Sequence, residues 1–273
     1  MKIILKILIL AVIGFFILSL KEAHARRISM DEGVNRLLVV YDNNTLVENL
    51  TPAYGFSCLL MIDQYHILFD TGGNPAILME NMNRMCIDPD AIDSVFLSHS
   101  HADHTGGLSG LLQKNKNITV YIPKSFPQGY KNDVRALGTV VKEVERPMMI
   151  LPSVYTTGEL GTGIKEQSLI IKTEDGLVII TGCAHPGILR IVEMAKNFLM
   201  DRVHLVLGGF HLMGSRAGEI RAIINRLDEL GVKIIAPCHC SGDTARELFR
   251  EYYGDNYIEC GVGLVLEIPD LKE

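Results

Sequence analysis

A layered α/β fold is the class that this sequence predicts, and three observations support it. Apolar runs rich in β-branched residues, which are typical of buried strands, alternate along the chain with helix-like segments. Several of these runs end in a loop that carries histidine beside glycine. The 273 residues are 48% hydrophobic and 21% charged, which is ample apolar material for one large core. Because the sequence contains no internal repeat or low-complexity segment, we expect a single layered domain.

The N-terminal 25 residues differ in character from the rest of the chain. Lys2 and Lys6 precede an apolar run over residues 7–20, and an Ala-His-Ala motif ends the segment with the small residues that a signal peptidase prefers. We therefore expect residues 1–25 to be a cleaved secretory signal and the protein to be exported, either periplasmic or secreted. The alternative is an uncleaved membrane anchor, which would be the only association with a membrane. Residues 26–273 then form the folded domain.

The first part of the domain is predicted to be mostly β-structure. Three strands precede the first helix, and they span residues 37–41, 55–62 and 65–69. The third strand ends in Asp70-Thr71-Gly72-Gly73. A helix is predicted at 74–85, with Asn74 as its cap and Pro75 in its first position.

The strand predicted at residues 93–97 ends in the stretch that organises the chain, Ser-His-Ser-His-Ala-Asp-His-Thr-Gly-Gly at 98–107. This stretch contains four potential metal ligands, namely His99, His101, Asp103 and His104. In an extended loop, alternate side chains can reach one ion while the other two reach a second ion beside it. Imidazole and carboxylate without thiolate suit zinc, manganese or iron. A polar surface loop is the alternative, and the preceding strand and the following glycine pair argue against it.

We expect the glycine pair, Gly106 and Gly107, to let the backbone turn sharply beneath this site. A helix-like segment at 108–112 and a strand at 118–122 follow. The next region, 123–163, is the least regular stretch of the sequence, with four prolines and scattered methionine and tyrosine. Long irregular connections in a compact domain are more often functional than idle, so we expect this region to have a function.

The second half of the domain repeats one pattern three times: a strand, a loop with histidine, and a helix. A hairpin signal, Glu-Asp-Gly, separates the first two strands. The predicted strands are 167–173, 177–181, 203–207, 232–236 and a closing strand at 257–268. The predicted helices are 188–199, 215–230 and 243–252.

The nine histidines differ in context. His66 and His204 lie inside strand-like runs and are interpreted as structural imidazoles. Six others follow predicted strand ends beside glycine, and these are His99, His101, His104, His185, His211 and His239. Loops at the ends of strands in a layered α/β core converge on one edge, so we expect these six side chains to meet.

At the central motif the chain resembles the metallo-β-lactamase superfamily, whose signature is His-x-His-x-Asp-His after a strand. The resemblance extends from about residue 37 to residue 268. Four further stretches resemble the dihydropterin synthase-like branch, which is associated with a pterin-ribofuranosyl-aminobenzene phosphate, and they are 70–73, 182–187, 208–212 and 237–240. The resemblance implies an α/β fold in the form of a four-layer αββα sandwich, with two mixed sheets flanked by helices.

The resemblance also implies that the region 123–163 covers the metal cleft and carries substrate specificity. It further implies two adjacent metal sites. The first would be formed by His99, His101 and His185, and the second by Asp103, His104 and His239. Asp70 is implied to orient a histidine ligand, as metal-bound imidazoles require. An Asp-Asn pair recurs in this branch near Asp42-Asn43, where the residues alone predict an Asx turn at least as well.

The chain departs from the commoner superfamily pattern at two positions. Glu166-Gln167 stands where a histidine usually opens a strand, and Cys183 stands where an aspartate usually bridges the two metals. His185 is the obvious replacement ligand. Cys183 is either a thiolate ligand or, as we favour, a buried thiol behind the ligands. His211 is left as a ligand, a proton donor or a substrate contact.

Six cysteines in an exported protein would ordinarily suggest disulfides. Cys183, Cys238 and Cys240, however, lie within two residues of histidines assigned to the metal sites, so we predict no disulfide framework. The formal net charge is -6, and Lys and Arg form no clustered stripe. This pattern argues against nucleic acid as the main substrate.

The expected function is a binuclear metal-dependent hydrolase. A hydroxide bridging two divalent ions would attack a small ester, phosphoester or lactone, with zinc as the favoured metal and manganese or iron as alternatives. Asp103 would orient the nucleophile, and His211 would protonate the leaving group or bind the developing oxyanion. The expected partner is therefore a small molecule, possibly a phosphorylated one.

Three other functions stay open. A dihydropterin synthase-like enzyme would act on a phosphorylated pterin precursor, although export would separate it from cytoplasmic cofactor synthesis. A di-iron redox protein is less favoured, because superfamily oxidoreductases of that kind usually carry glutamate where this chain has His101. A non-catalytic metal-dependent sensor would keep the ligands and show no turnover.

Overall fold

The computed structural model of the protein describes residues 33–272. The predicted signal or anchor at residues 1–25 lies outside the described residues. Two mixed β-sheets pack face to face, and helices cover the outer face of each sheet. This is the four-layer αββα architecture that the sequence predicted. Between residues 33 and 272, no helix has both the length and the apolar character that a membrane span requires.

Seven strands form the first sheet. They are β1 (Arg36–Tyr41), β2 (Ser57–Ile62), β3 (Tyr65–Phe69), β4 (Ser94–Phe96), β5 (Thr119–Pro123), β6 (Val140–Val144) and β13 (Val265–Glu267). Their order across the sheet is β13-β1-β2-β3-β4-β5-β6. β13, β1, β2 and β3 pair antiparallel, whereas β3 to β6 run parallel. The hairpin of β2 and β3 is present as predicted.

Six strands form the second sheet. They are β7 (Met148–Leu151), β8 (Val154–Thr156), β9 (Leu169–Thr173), β10 (Gly176–Thr181), β11 (Val203–Gly209) and β12 (Ile234–Cys238). Their order is β12-β11-β10-β9-β8-β7. β10, β11 and β12 are parallel, so their carboxyl ends meet at one edge of the sheet.

Seven α-helices surround the sheets in the described part of the chain. They are α1 (Pro75–Arg84), α2 (Ala102–Thr105), α3 (Leu108–Lys114), α4 (Gln128–Ala136), α5 (Ile188–Leu199), α6 (Ala217–Glu229) and α7 (Asp243–Tyr253). α1 packs on β1 and α3, while α5 and α7 pack on β10 and β12 of the second sheet. The side chain of Asn74 accepts hydrogen bonds from two amides of the first turn of α1, as its capping position predicted.

The central strands of the second sheet, such as β10, are mostly apolar because both faces are buried. Along β10, Val178 and Ile180 point into the core between the sheets, whereas Leu177 and Ile179 pack against the helices. A strand buried on both faces has no alternation of apolar and polar residues. This explains why the sequence showed these strands as continuous apolar runs.

The region 123–163 is more regular than the sequence indicated. It contains α4 and three strands: β6 extends the first sheet, and β7 and β8 extend the second. Our expectation of an irregular segment is therefore wrong. β6 is an edge strand with exposed and partly charged side chains, so it lacks the apolar pattern of a buried strand. β7, the edge strand of the second sheet, is apolar but only four residues long.

The closing strand predicted at 257–268 is also much shorter, since only Val265–Glu267 is a strand. Tyr257 forms an isolated bridge to Ile235 of the second sheet, whereas Val262 bridges to Thr45 and β13 pairs with β1 of the first sheet. The segment crosses from one sheet to the other, so it cannot be one continuous strand.

Candidate metal centre

The candidate site lies where the loops after β4, β10, β11 and β12 meet. The loop after β4 carries the central His-rich motif, and the other three carry one histidine each, namely His185, His211 and His239. These loops place the candidate ligand atoms in groups whose members lie within 4.8 Å of one another. The structure thus brings together all six histidines that the sequence singled out.

The first group comprises His99, His101 and His185. Nε2 of His99 lies 3.1 Å from Nδ1 of His101. The ring of His185 lies 4.7 Å from the ring of His99 and 4.9 Å from that of His101, measured between centroids. Nε2 of His185 is buried and has no hydrogen-bond partner. These are the three residues that the resemblance implied for the first metal site.

The second group comprises Asp103, His104, Cys183 and His239. The Nε2 atoms of His104 and His239 lie 3.1 Å apart, and Oδ2 of Asp103 lies 3.3 Å from Nε2 of His239. Sγ of Cys183 lies 3.2 Å from Nε2 of His104. The sequence favours a buried thiol behind the ligands at Cys183. In the structure its sulfur faces the same point as the ligand atoms of Asp103, His104 and His239, so we count it as a candidate ligand.

We predict an extended loop for the whole motif, but the structure shows that only part of it is extended. His101 is extended, and α2 begins directly after it, so Asp103 and His104 project from a helical turn. This change of conformation separates the first two histidines from the Asp-His pair and directs them to different groups.

Glycine is required at both positions after the motif, but for a different reason from the sharp turn that we predict. Neither residue has a positive φ, since Gly106 is at -66° and Gly107 at -75°. A Cβ atom at Gly106 would lie 2.4 Å from the carbonyl oxygen of Gly73, and one at Gly107 would lie 2.0 Å from that of Thr71. Glycine is therefore needed because the motif packs directly on the loop after β3, not because of a turn.

Asp70 orients the second group, as the resemblance implied. Its Oδ2 lies 2.7 Å from Nδ1 of His104, and its Oδ1 accepts a hydrogen bond of 2.7 Å from the amide of Ser98. The hydroxyl of Ser98 donates to Oδ2 of Asp70 at 2.6 Å and lies 2.9 Å from Nδ1 of His99. Because the hydroxyl proton goes to Asp70, Ser98 accepts from Nδ1–H of His99. Nε2 of both histidines is then unprotonated and faces the site.

His239 is held by two residues that the sequence did not assign to the site. Its Nδ1 lies 3.0 Å from Oδ1 of Asn43, and its amide donates to Oδ2 of Asp42 at 3.0 Å. The φ of His239 is 47°, a left-handed conformation that is costly for a residue other than glycine. The Asp-Asn pair that recurs in the branch could have predicted the contact of Asp42 and Asn43 with His239. The interpretation as an Asx turn gave these residues no role in the site. The turn is also present, because Asp42 accepts from the amide of Asn44.

Glu166 holds the loop that carries Cys183 and His185. The carboxylate is buried, and its Oε1 accepts hydrogen bonds of 3.0 Å from the amides of Gly182, Cys183 and Ala184. Its Oε2 accepts a bond of 2.9 Å from the amide of His185 and lies 4.0 Å from Nδ1 of His99. Sequence reasoning noted the unusual glutamate but gave it no role.

His211 lies beside both groups but belongs to neither. Its ring centroid is 4.5 Å from that of His185, and it forms a third group with Cys183 and Cys240. The Cys240 thiol donates to the carbonyl of Cys183 at 3.7 Å. The interaction between the two neighbouring thiols lowers the pKa of Cys240 and raises that of Cys183. The bond to Cys240 also raises the pKa of the exposed His211.

The electrostatics of the two groups favour cations. Burial lowers the pKa of His99 and, to about 4, that of His185, so both imidazoles are neutral at pH 7. Burial works against the ionised form of Asp103, but the hydrogen bond with His239 and the charge of His104 lower its pKa to about 2. His104 is the exception, because Asp70 outweighs the effect of burial and raises the pKa of the ring, so that a metal ion at Nε2 competes with a proton.

These observations test whether metal ions fit the site. In the second group, the Nε2 atoms of His104 and His239 lie 3.1 Å apart while their Nδ1 atoms are held by Asp70 and Asn43, so two lone pairs would repel. A cation between them removes this repulsion, and a cation in the first group satisfies the buried, unpartnered Nε2 of His185. The chain therefore supplies two sets of donors that fit two neighbouring divalent ions.

Comparisons with known proteins agree with this geometry. The family model of the metallo-beta-lactamase superfamily matches residues 50–190. A 7,8-dihydropterin-6-methyl-4-(beta-D-ribofuranosyl)-aminobenzene-5'-phosphate synthase of Methanocaldococcus jannaschii is 30% identical over 263 residues, which cover 78% of this chain and 90% of that protein.

Solved structures give the same result. A metal-dependent hydrolase of the beta-lactamase superfamily superposes with a TM-score of 0.74 and 30% identity, covering 86% of this chain and 100% of that one. A diphosphatase of the PhnP family, at 14% identity, shares the fold with a TM-score of 0.60, covering 88% of this chain and 100% of that one. The family model, the synthase relative and the shared fold together establish that the chain belongs to the metallo-beta-lactamase superfamily.

Proposed function

We propose that this enzyme is a binuclear metal-dependent hydrolase that acts on a small ester, phosphoester or lactone. The adjacency of the two ligand groups supports the proposal: the ring of His99 in the first group lies 4.2 Å from the ring of His104 in the second. Enzymes with two neighbouring ions use them to stabilise both the attacking and the leaving oxygen of a displacement.

Two divalent ions bound there would lower the pKa of a shared water toward neutrality and supply a hydroxide nucleophile at pH 7. The residues of the chain then determine its orientation. Asp103 is ionised and half-buried. Its carboxylate can accept a hydrogen bond from the hydroxide while it contributes to the second group. His211 is exposed at the edge of the site, and its raised pKa favours the protonated ring near neutral pH. We assign it to protonation of the leaving group or hydrogen bonding to the developing oxyanion.

A phosphorylated small molecule is the substrate class that we favour. The name of the archaeal relative describes a phosphorylated product, and that relative is similar over most of both chains. The metals we propose are zinc first, with manganese or iron as alternatives, since imidazole, carboxylate and one thiolate suit zinc.

A second candidate function is the synthase activity that the archaeal relative's name describes, and the 30% identity over 78% of the chain favours it. We rank it below hydrolysis because we also propose that residues 1–25 direct export, which would separate the protein from cytoplasmic cofactor synthesis. Cell fractionation with N-terminal sequencing of the purified protein distinguishes the two. A cytoplasmic protein with residues 1–25 intact would reverse the ranking.

The test of the main proposal combines metal content and turnover on one preparation. Elemental analysis is run beside a panel of phosphomonoesters, phosphodiesters and lactones, with and without a chelator. We expect two zinc or manganese ions per chain and cleavage of one substrate class that stops after metal removal and returns on addition of the metal. Full activity in a folded, metal-free protein would refute the proposal. Two irons without hydrolysis would favour a redox protein, and bound metal without any reaction would favour a sensor.

A further inference from the structure

Cys240 has no role in the hydrolase proposed above. It forms a third group of donors with Cys183, a candidate ligand of the second group, and with His211, the proposed proton donor. Their ligand atoms lie within 4.8 Å of one another. Both sulfurs are buried, each cysteine being 3% exposed, whereas His211 is exposed. We propose that these three residues bind a third, thiolate-ligated metal ion of the zinc type beside the binuclear centre.

The chemistry of the donors distinguishes this site from the other two. Two thiolates and one imidazole form a soft donor set that prefers zinc over magnesium, calcium or manganese. Three protein ligands leave the fourth tetrahedral position open to water or another small ligand. Both thiols release their protons to solvent when the ion binds. The first two groups, by contrast, consist mainly of imidazole and carboxylate.

The three donors are held in place by bonds between their loops. The amide of Gly209 donates to the carbonyl of Gly182 at 3.1 Å, which joins the loop after β11 to the loop that carries Cys183. The amide of Phe210 donates to Oγ of Ser241 at 3.0 Å, and the amide of Met213 donates to the carbonyl of Cys240 at 3.1 Å. These bonds join the segments on both sides of His211 to the loop that carries Cys240. The group is therefore assembled before any ion binds.

Gly209 makes room for the second sulfur. A Cβ atom built at this glycine would lie 2.6 Å from Sγ of Cys240 and 2.4 Å from the carbonyl oxygen of Gly182. Any larger residue would displace the thiol from its position beside Cys183. Because His211 follows only two residues later and is exposed, the side of the group that an ion would enter faces solvent.

Cys183 links the third ion to the second group, since its sulfur also lies 3.2 Å from Nε2 of His104. A thiolate can bridge two ions, so occupation of the third site does not require the second to be empty. Cys240 has no such shared position. Its removal should therefore affect only the third ion, which makes it the residue to change first.

The test uses the full-length chain, purified under reducing conditions, stripped of metal and titrated with Co²⁺. We expect uptake of three equivalents, with a rise in thiolate-to-cobalt charge-transfer absorption during the third. Cys240→Ala should take up two equivalents and lose that rise. The matched control is Cys86→Ser, which removes an exposed thiol just after α1 and should take up three equivalents.

A second variant keeps the proposal testable if Cys240→Ala does not fold. His211→Asn changes an exposed side chain, and we expect it to weaken binding of the third equivalent at least about tenfold while the first two are unchanged. The proposal is overturned if the wild-type chain takes up only two equivalents, or if either variant binds the third with wild-type affinity. Loss of free thiols without a third equivalent would identify Cys183 and Cys240 as a disulfide pair and would also overturn it. Hydrolysis by the binuclear centre is assayed separately on protein loaded with only two equivalents, so that a failure of the proposed function and a failure of the third site are distinguished.

Discussion

At the scale of single residues, the centre depends on which nitrogen of each imidazole carries the proton. Asp70, Ser98 and Asn43 each contact the Nδ1 atom of one histidine, so that Nε2 is free to face the site. A histidine without such a partner can rotate or change tautomer, and either change lowers its affinity for a metal. The residues behind the ligands therefore matter nearly as much as the ligands.

Asp70→Asn tests this dependence. The asparagine keeps the shape and tolerates the left-handed φ of 54° at this position, but it removes the charge that holds His104. We expect the affinity of the second group for zinc to fall by about 10-fold to 100-fold, measured by competition with a chromophoric chelator. Asp133→Asn, on the exposed face of α4, is the control and should bind zinc like the wild type. Equal affinities in both variants would contradict the assigned role of Asp70.

His185 contributes to the pH dependence of the metal-free protein, and His99, whose pKa burial also lowers, acts in the same direction. Burial lowers the pKa of His185 from 6.5 to about 4, so between these values the unfolded chain binds a proton that the folded chain does not. Stability is therefore lost as the pH falls from 6.5 toward 4. His104, whose pKa is raised, acts in the opposite sense, so the wild-type slope alone does not isolate His185.

His185→Gln isolates the contribution of His185. We expect the fall in Tm of chelator-treated protein between pH 7 and pH 5 to be smaller in His185→Gln than in the wild type, because the glutamine does not titrate. Differential scanning calorimetry at several pH values measures the difference. Parallel Tm curves for the two proteins would show that His185 does not contribute.

At the scale of secondary-structure elements, the loop after β10 is unusual because a buried carboxylate, Glu166, holds its backbone. In many proteins a buried carboxylate pairs with Lys or Arg, but Glu166 is surrounded by backbone amides and the hydroxyl of Thr181. Burial raises its pKa, and the amides of His185 and Ala184 partly offset that effect. One carboxylate thus fixes the position of two candidate ligands, Cys183 in the second group and His185 in the first.

Glu166→Gln should weaken this loop. The amide NH₂ of the glutamine would face backbone donors, so at least one hydrogen bond is lost in a buried place, at a cost of about 1–3 kcal/mol in the free energy of unfolding. We also expect weaker zinc binding by the first group. Urea unfolding and zinc competition measure the two effects, and the exposed Glu247→Gln is the matched control. A variant with wild-type stability and affinity would rule out a positioning role for Glu166.

At the scale of the whole molecule, metal binding and folding should be coupled. Each group draws residues from both sheets, because the motif after β4 belongs to the first sheet while His185 and His239 follow strands of the second. An ion that binds only the folded chain stabilises it by about 4 kcal/mol at a free concentration of 1,000 Kd.

Removal of metal should therefore lower the Tm of the protein by several degrees, and stoichiometric zinc should restore it. Thermal unfolding before and after chelation measures the shift. In the double variant His101→Ala and His239→Ala, which lacks one ligand in each group, chelation should change the Tm little. A wild-type Tm that does not respond to chelation would contradict the coupling of the two sheets through the ions.

The sequence by itself determined the fold class, most of the buried strands and the histidines of the site. Buried strands and amphipathic helices can be predicted because the spacing of apolar residues follows which faces are buried. The histidines could be assigned to one site because loops after parallel strands converge on one edge of a sheet. Edge strand β6 was missed because its side chains are largely exposed and partly charged, and β7 was missed because it is only four residues long.

Only the tertiary structure decided which donors meet. Asp42, Asn43 and Glu166 act on ligands that are distant in sequence, His239 being 197 residues from Asp42. Cys183 and Cys240, which are 57 residues apart, meet because the loops after β10, β11 and β12 are joined by hydrogen bonds. Local pattern carries no information about such contacts, because a side chain's role in a site depends on distances that only the packing of both sheets establishes.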